Sequence, residues 1–101
     1  MSDTALKQYI QPFPGERRFI FAPPATGQTR TWIFGVDDMP DLILNFHLAS
    51  FLAHGWRVVE SSSSLVAERS GTEVSVSALR RRDETRLVYE VHTETGPLSE
   101  K

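Results

Sequence analysis

Residues 42 to 56, LILNFHLASFLAHGW, contain no Asp, Glu, Lys or Arg in a chain of which 24% is charged. A helix without a charged face must be covered on more than one side, because large contiguous apolar patches are rarely left in water. About 15 residues of helix span roughly 22 Å. That length crosses a sheet of four or five strands, and the runs on either side of it read as strands.

Before it stand RRFIFA (17 to 22) and TRTWIFGV (29 to 36), two aromatic and β-branched runs joined by PPATGQ; this is a hairpin pattern with a loop longer than a tight turn. After it come WRVVE (56 to 60), SLVAER (64 to 69), TEVSVSAL (72 to 79) and TRLVYEVH (85 to 92). Val74, Val76 and Ala78 alternate with Glu73, Ser75 and Ser77, while Leu87, Tyr89 and Val91 alternate with Val88, Glu90 and His92. A period of two buries one sheet face and wets the other. Short connections favour antiparallel pairing.

The reading is therefore an α+β fold, with an antiparallel sheet of four to five strands and one principal helix packed on one face. Its order is ββαβββ, the serine segment 61 to 64 bending the first two runs after the helix into one strand. Residues 1–16, with Pro12, Pro14 and Gly15, form an extended arm; 17–93 form one domain; 94–101, without periodic apolar residues, form a flexible tail. The helix start carries Asp38 as cap, Pro40 in the first turn and Asp41 near the positive end of the dipole. Its stop is Gly55, with Trp56 free to fold back.

At about 100° per residue, Leu44, Phe51, Leu48 and Leu52 share the arc expected to face the sheet. Leu42, Phe46, Ala49 and Ala53 form a second apolar arc. Ile43, His47, Ser50 and His54 form the remaining strip, the one expected in water. Two readings of the second arc stay open: the arm, with Tyr9, Ile10 and Phe13, covers it, or another surface does.

The residue inventory narrows the chemistry. There is no cysteine, hence no disulfide, thiol nucleophile or sulfur-ligated metal. His47 and His54 are seven apart, roughly 10 Å along a helix, where a chelating pair needs three or four. Asp37, Asp38 and Asp41 are explained by helix capping. The ESSSSL run has no nucleophile elbow around it. LRRRDE mixes both charges in a chain of net charge −2, so it reads as a hairpin tip and nucleic acid is not an expected partner. No catalytic residue, cofactor site or metal site is expected, and the protein is read as not an enzyme. The start MSDTALKQYI has no basic segment followed by an apolar run, and no stretch reaches the roughly 20 apolar residues of a membrane span; the expected place is cytoplasmic.

PFPGERRF, FHLASFLAHGW, LVAERSGTEVSV and TRLVYEV, which together run from residue 12 to 92, give the chain a pattern of Pro-Gly segment, strand, helix ending in Gly-Trp and further strands. It resembles a group of small bacterial α+β domains of uncharacterised function. The resemblance implies an α+β fold and carries over no catalytic residue. Members often follow export or lipoprotein leaders, so an exported form stands as the alternative to the cytoplasmic one.

These observations lead to a noncatalytic binding or assembly module acting through apolar protein–protein contacts, as a homodimer or other homo-oligomer or as a small adaptor subunit. The interface candidates are Leu42, Phe46, Ala49, Ala53, Phe51, Trp56 and Arg57, with Arg17 and Arg18 at the rim, since aromatics and Arg dominate interface energetics. The alternative is a small-molecule carrier or sensor whose apolar pocket lies between sheet and helix, lined by Trp32, Phe34, Phe46 and Tyr89.

Overall fold

A computed structural model describes residues 6–93; the tail expected at 94–101 and the first five residues of the arm lie outside the described residues. Strands β1 (Arg17–Phe21) and β2 (Thr29–Val36) precede helix α1 (Pro40–Ala53), and β3 (Arg57–Glu60), β4 (Ser64–Arg69), β5 (Thr72–Arg81) and β6 (Glu84–Thr93) follow it. They form one six-stranded sheet in the order β1-β2-β6-β5-β4-β3, antiparallel at every pairing. The fold is α+β as expected, but the sheet has six strands and the element order is ββαββββ. The difference lies in the serine segment, which makes a turn instead of a bend: the Ser61 N–H donates to the Ser64 carbonyl at 2.8 Å, and Glu60 faces Leu65 across the resulting hairpin. Serine hydroxyls stabilise turns by local hydrogen bonding, so β3 and β4 separate there.

The alternation read in β5 and β6 extends across the sheet. Trp32, Tyr89, Val76 and Leu65 stand side by side on one face, as do Phe34, Leu87 and Ala78 in the next row, and all seven are buried. The opposite face carries rows such as Ile33, Val88, Ser77 and Ser64, which are only partly covered. One face is thus the core and the other meets solvent with a mixture of serines and β-branched residues.

Helix α1 covers the half of the core face over β3, β4 and β5. The arm covers the other half. It makes a single 3-10 turn at Leu6–Gln8 and buries Leu6, Ile10 and Phe13 in the same cluster as Trp32, Phe34 and Tyr89. Phe13 meets Phe46 of the helix edge to face, with ring centroids 5.8 Å apart. Gly15 then lets the chain leave the helix start for β1, since a Cβ there would sit 2.4 Å from the Phe13 ring and 2.7 Å from the Asp38 carboxylate.

The helix ends as its sequence requires. Gly55 takes φ 83°, the Trp56 N–H donates to the Phe51 carbonyl and the Gly55 N–H to that of Leu52, and the Phe51 and Trp56 rings pack at 5.3 Å. These are the two crossed hydrogen bonds and the apolar contact of a Schellman motif. The start differs from expectation. Met39, extended at ψ 151°, is the cap residue, and no side chain caps the helix. Asp38 instead offers its backbone carbonyl to the buried Thr85 hydroxyl at 2.7 Å, while Arg80 holds the Asp37 carbonyl at 2.8 Å. The β5–β6 stem therefore fixes the approach to the helix, and Pro40 at its head needs no donor satisfied.

The β4–β5 connection is a two-residue turn between Arg69 and Thr72, with Ser70 at φ 53°. A serine pays a steric penalty in that left-handed region that asparagine largely avoids. Ser70→Asn is expected to stabilise the protein by about 0.5 kcal/mol, read as a rise of roughly 2–4 °C in melting temperature.

Candidate functional site

The helix face that meets the sheet is not the arc of largest residues. Ile43 and His47 are 0% and 1% exposed and Phe51 is buried beside them, so two members of the strip expected in water form the centre of the buried face. Leu44 and Leu48 are half-buried on one flank, Phe46 and Ser50 on the other. Leu52, assigned to the sheet-facing arc, is 57% exposed. The rotation has a chemical cause: the sheet presents a hydroxyl, and the helix turns a histidine toward it.

That hydroxyl is Tyr89 Oη, 2.7 Å from His47 Nε2. It also accepts the Phe13 N–H at 2.9 Å. A backbone N–H can only donate, so Oη accepts there, while the hydrogen bond between Oη and Nε2 takes its direction from the His47 tautomer. Burial pulls the His47 pKa down to about 4, with the Arg17 charge acting in the same sense. Burial also pushes the Tyr89 phenol above its ordinary value, against smaller opposing effects of the Phe13 hydrogen bond and Arg17. Both groups are thereby neutral at pH 7. Phe46, Phe51 and Tyr89 surround the imidazole at centroid distances of 5.0, 6.1 and 5.2 Å, and the three-way contact joins helix, sheet and arm at one point.

The interface candidates divide. Leu42, Ala49 and Ala53 lie together on the solvent side of α1, with Leu42 55% exposed. Asn45 and Leu52 share that side. Phe46 is half-covered by Phe13, and Phe51 and Trp56 are core residues. Arg57 pairs with Glu68 at 2.7 Å on the sheet face turned away from the helix. Of the rim arginines, Arg17 stacks over the Phe34 ring at 5.0 Å and Arg18 pairs with Glu84 on the other side of the strand. The four pocket candidates pack against one another, with Trp32, Phe34 and Tyr89 buried in the core cluster and Phe46 against it, so these residues fill the space between sheet and helix.

A cleft does exist, displaced to the C-terminal end of α1 where the arm passes over it. Its volume is about 410 Å³, and its walls include Lys7, Tyr9, Phe51, His54, Trp56 and Arg69. Arg69 lies over the Trp56 ring at 4.8 Å and donates through Nη1 to the His54 carbonyl at 2.6 Å. The His54 Nδ1 lies 2.8 Å from the Ser50 carbonyl, so Nδ1 carries the proton and Nε2 is left as the ring's other polar atom. Sequence reading missed this site because nothing in local spacing joins Lys7 to Arg69. The one available signal was Trp56 itself, an aromatic placed just past a helix end.

Among the described residues no group of three or more His, Asp or Glu is arranged to hold a metal ion, and no helix is long and apolar enough to cross a membrane. Comparison with family models, with curated proteins and with solved structures finds no match.

Proposed function

We propose that the protein is a noncatalytic assembly module that self-associates through the solvent side of α1. One observation carries the reading: Leu42, Asn45, Ala49 and Leu52 are all exposed and follow one another at intervals of three, four and three residues, the spacing of a helix-pairing seam. No charged residue interrupts them. Two copies related by a two-fold axis would lay their helices antiparallel, with Leu42 of one against Leu52 of the other and Asn45 beside Ala49. Ala49 and Ala53 are small enough for a close helix approach of about 8 Å, and Met39, 58% exposed at the helix head, extends the apolar surface. A two-fold arrangement uses the same patch twice and closes on itself.

Sedimentation equilibrium at high micromolar concentration is expected to give a dimer. Ala49→Glu puts a charge in the middle of the seam at an exposed position, where folding stability should change by no more than about 0.5 kcal/mol; this variant should be monomeric with unchanged circular dichroism. A monomer for the unaltered chain at that concentration would exclude self-association, and an undiminished dimer in Ala49→Glu would exclude this face as its seat. A 1:1 complex with a different protein that Ala49→Glu abolishes, with no homodimer, would assign the same face to an adaptor.

A further inference from the structure

The cleft at the end of α1 combines two properties. Its floor is aromatic, formed by the buried rings of Phe51 and Trp56 with Tyr9 beside them, while its ionisable rim is basic: Lys7, His54 and Arg69 line it, and no Asp or Glu does so among the described residues. The chain as a whole has net charge −2, so this clustering of bases runs against the average. Its volume of about 410 Å³ falls in the range of small-molecule sites, which pair apolar walls with a few placed polar groups.

We propose that the cleft binds a small organic anion with a flat apolar body and one carboxylate. The body packs against Tyr9 and the part of Trp56 that lines the cleft. The carboxylate meets Arg69, whose guanidinium is already held in place by the indole beneath it and by the His54 carbonyl, so little ordering cost remains when an anion arrives. A planar guanidinium presents paired N–H donors that match a carboxylate. Lys7 lines the cleft from the arm and adds a second positive charge. The proposal is independent of self-association, because Lys7, Trp56 and Arg69 lie off the Leu42–Leu52 seam.

Titration with 2-naphthoate and its neutral isostere 2-naphthamide tests it, read by amide and indole NMR shifts on the full chain. Naphthoate is expected to shift Tyr9, His54 and the Trp56 indole saturably while the Trp32 indole, in the core, stays still. Naphthamide should bind about tenfold more weakly, and Lys7→Glu should weaken naphthoate by about tenfold without affecting naphthamide. Arg69→Gln should weaken naphthoate further. Because that change also removes a cap from the helix end, Lys7→Glu, at an exposed position, serves as the variant that leaves packing intact. Absence of saturable shifts in the cleft, equal binding of the two compounds, or indifference of naphthoate to Lys7→Glu would each overturn the proposal.

Discussion

Tyr89→Phe should destabilise the protein by about 3 kcal/mol, a loss out of proportion to one oxygen atom. The substitution keeps the ring and its packing in the core, so the transfer and cavity contributions of a large-to-small change are nearly absent. What it removes is the partner of two other buried groups: the Phe13 N–H, which donates to Oη at 2.9 Å, and His47 Nε2, 2.7 Å away. A buried polar group left without its partner costs roughly 1–3 kcal/mol, and here one change strands two such groups together. Urea unfolding would show a lower midpoint at unchanged slope, and the Phe13 amide would exchange with solvent faster than amides of β5. A loss of unfolding free energy below about 1 kcal/mol, with Phe13 still protected, would mean that the arm is held by Leu6, Ile10 and the Phe13 ring alone.

Acid should attack the same point. His47 is neutral in the folded protein with its pKa pulled down to about 4, against 6.5 when unfolded, so the unfolded chain binds the extra proton first as pH falls. The stabilisation is fully present above pH 6.5, declines as pH drops from there toward 4, and is exhausted below. The pKa difference corresponds to about 3 kcal/mol. Thermal melts between pH 7 and pH 4 should therefore fall steeply, and His47→Leu should flatten that part of the profile even though it lowers stability at pH 7 by stranding the Tyr89 hydroxyl. If the variant keeps the full acid slope, the slope belongs to carboxylates and His47 is not its source.

The β1–β2, β4–β5 and β5–β6 hairpins, the helix stop at Gly55 and the inward set Val74, Val76, Ala78, Leu87, Tyr89 and Val91 were legible because each depends on neighbours in the chain: a period of two, a turn residue, a glycine at the left-handed position. The rotation of α1 was not. With apolar side chains all round the helix and no charge after Asp41 to mark the wet side, size pointed to Leu44, Leu48, Phe51 and Leu52, whereas the buried stripe is Ile43, His47 and Phe51, which shares only Phe51 with that arc. A histidine reads as polar until a partner is known, and the partner is 42 residues away on β6. Asp38 was likewise assigned to capping on composition, while its carbonyl and not its carboxylate is what Thr85 uses. The question of what covers the second apolar arc resolves residue by residue: the arm takes Phe46, and Leu42, Ala49 and Ala53 remain uncovered. The cleft stayed hidden for a topological reason, since Lys7 and Arg69 belong to segments that only the folded sheet brings together.

The sheet order sets when folding can complete as the chain is made. β6, the last of the described strands in chain order, lies between β2 and β5, pairing along eight positions with the first and ten with the second. Until it emerges, β1–β2 and β3–β4–β5 are two separate hairpin pieces, the helix between them has no hydroxyl to turn toward, and the arm has no anchor. A nascent chain of this kind completes its sheet in one late event, and until β6 pairs, its apolar helix lacks the strand that carries Tyr89.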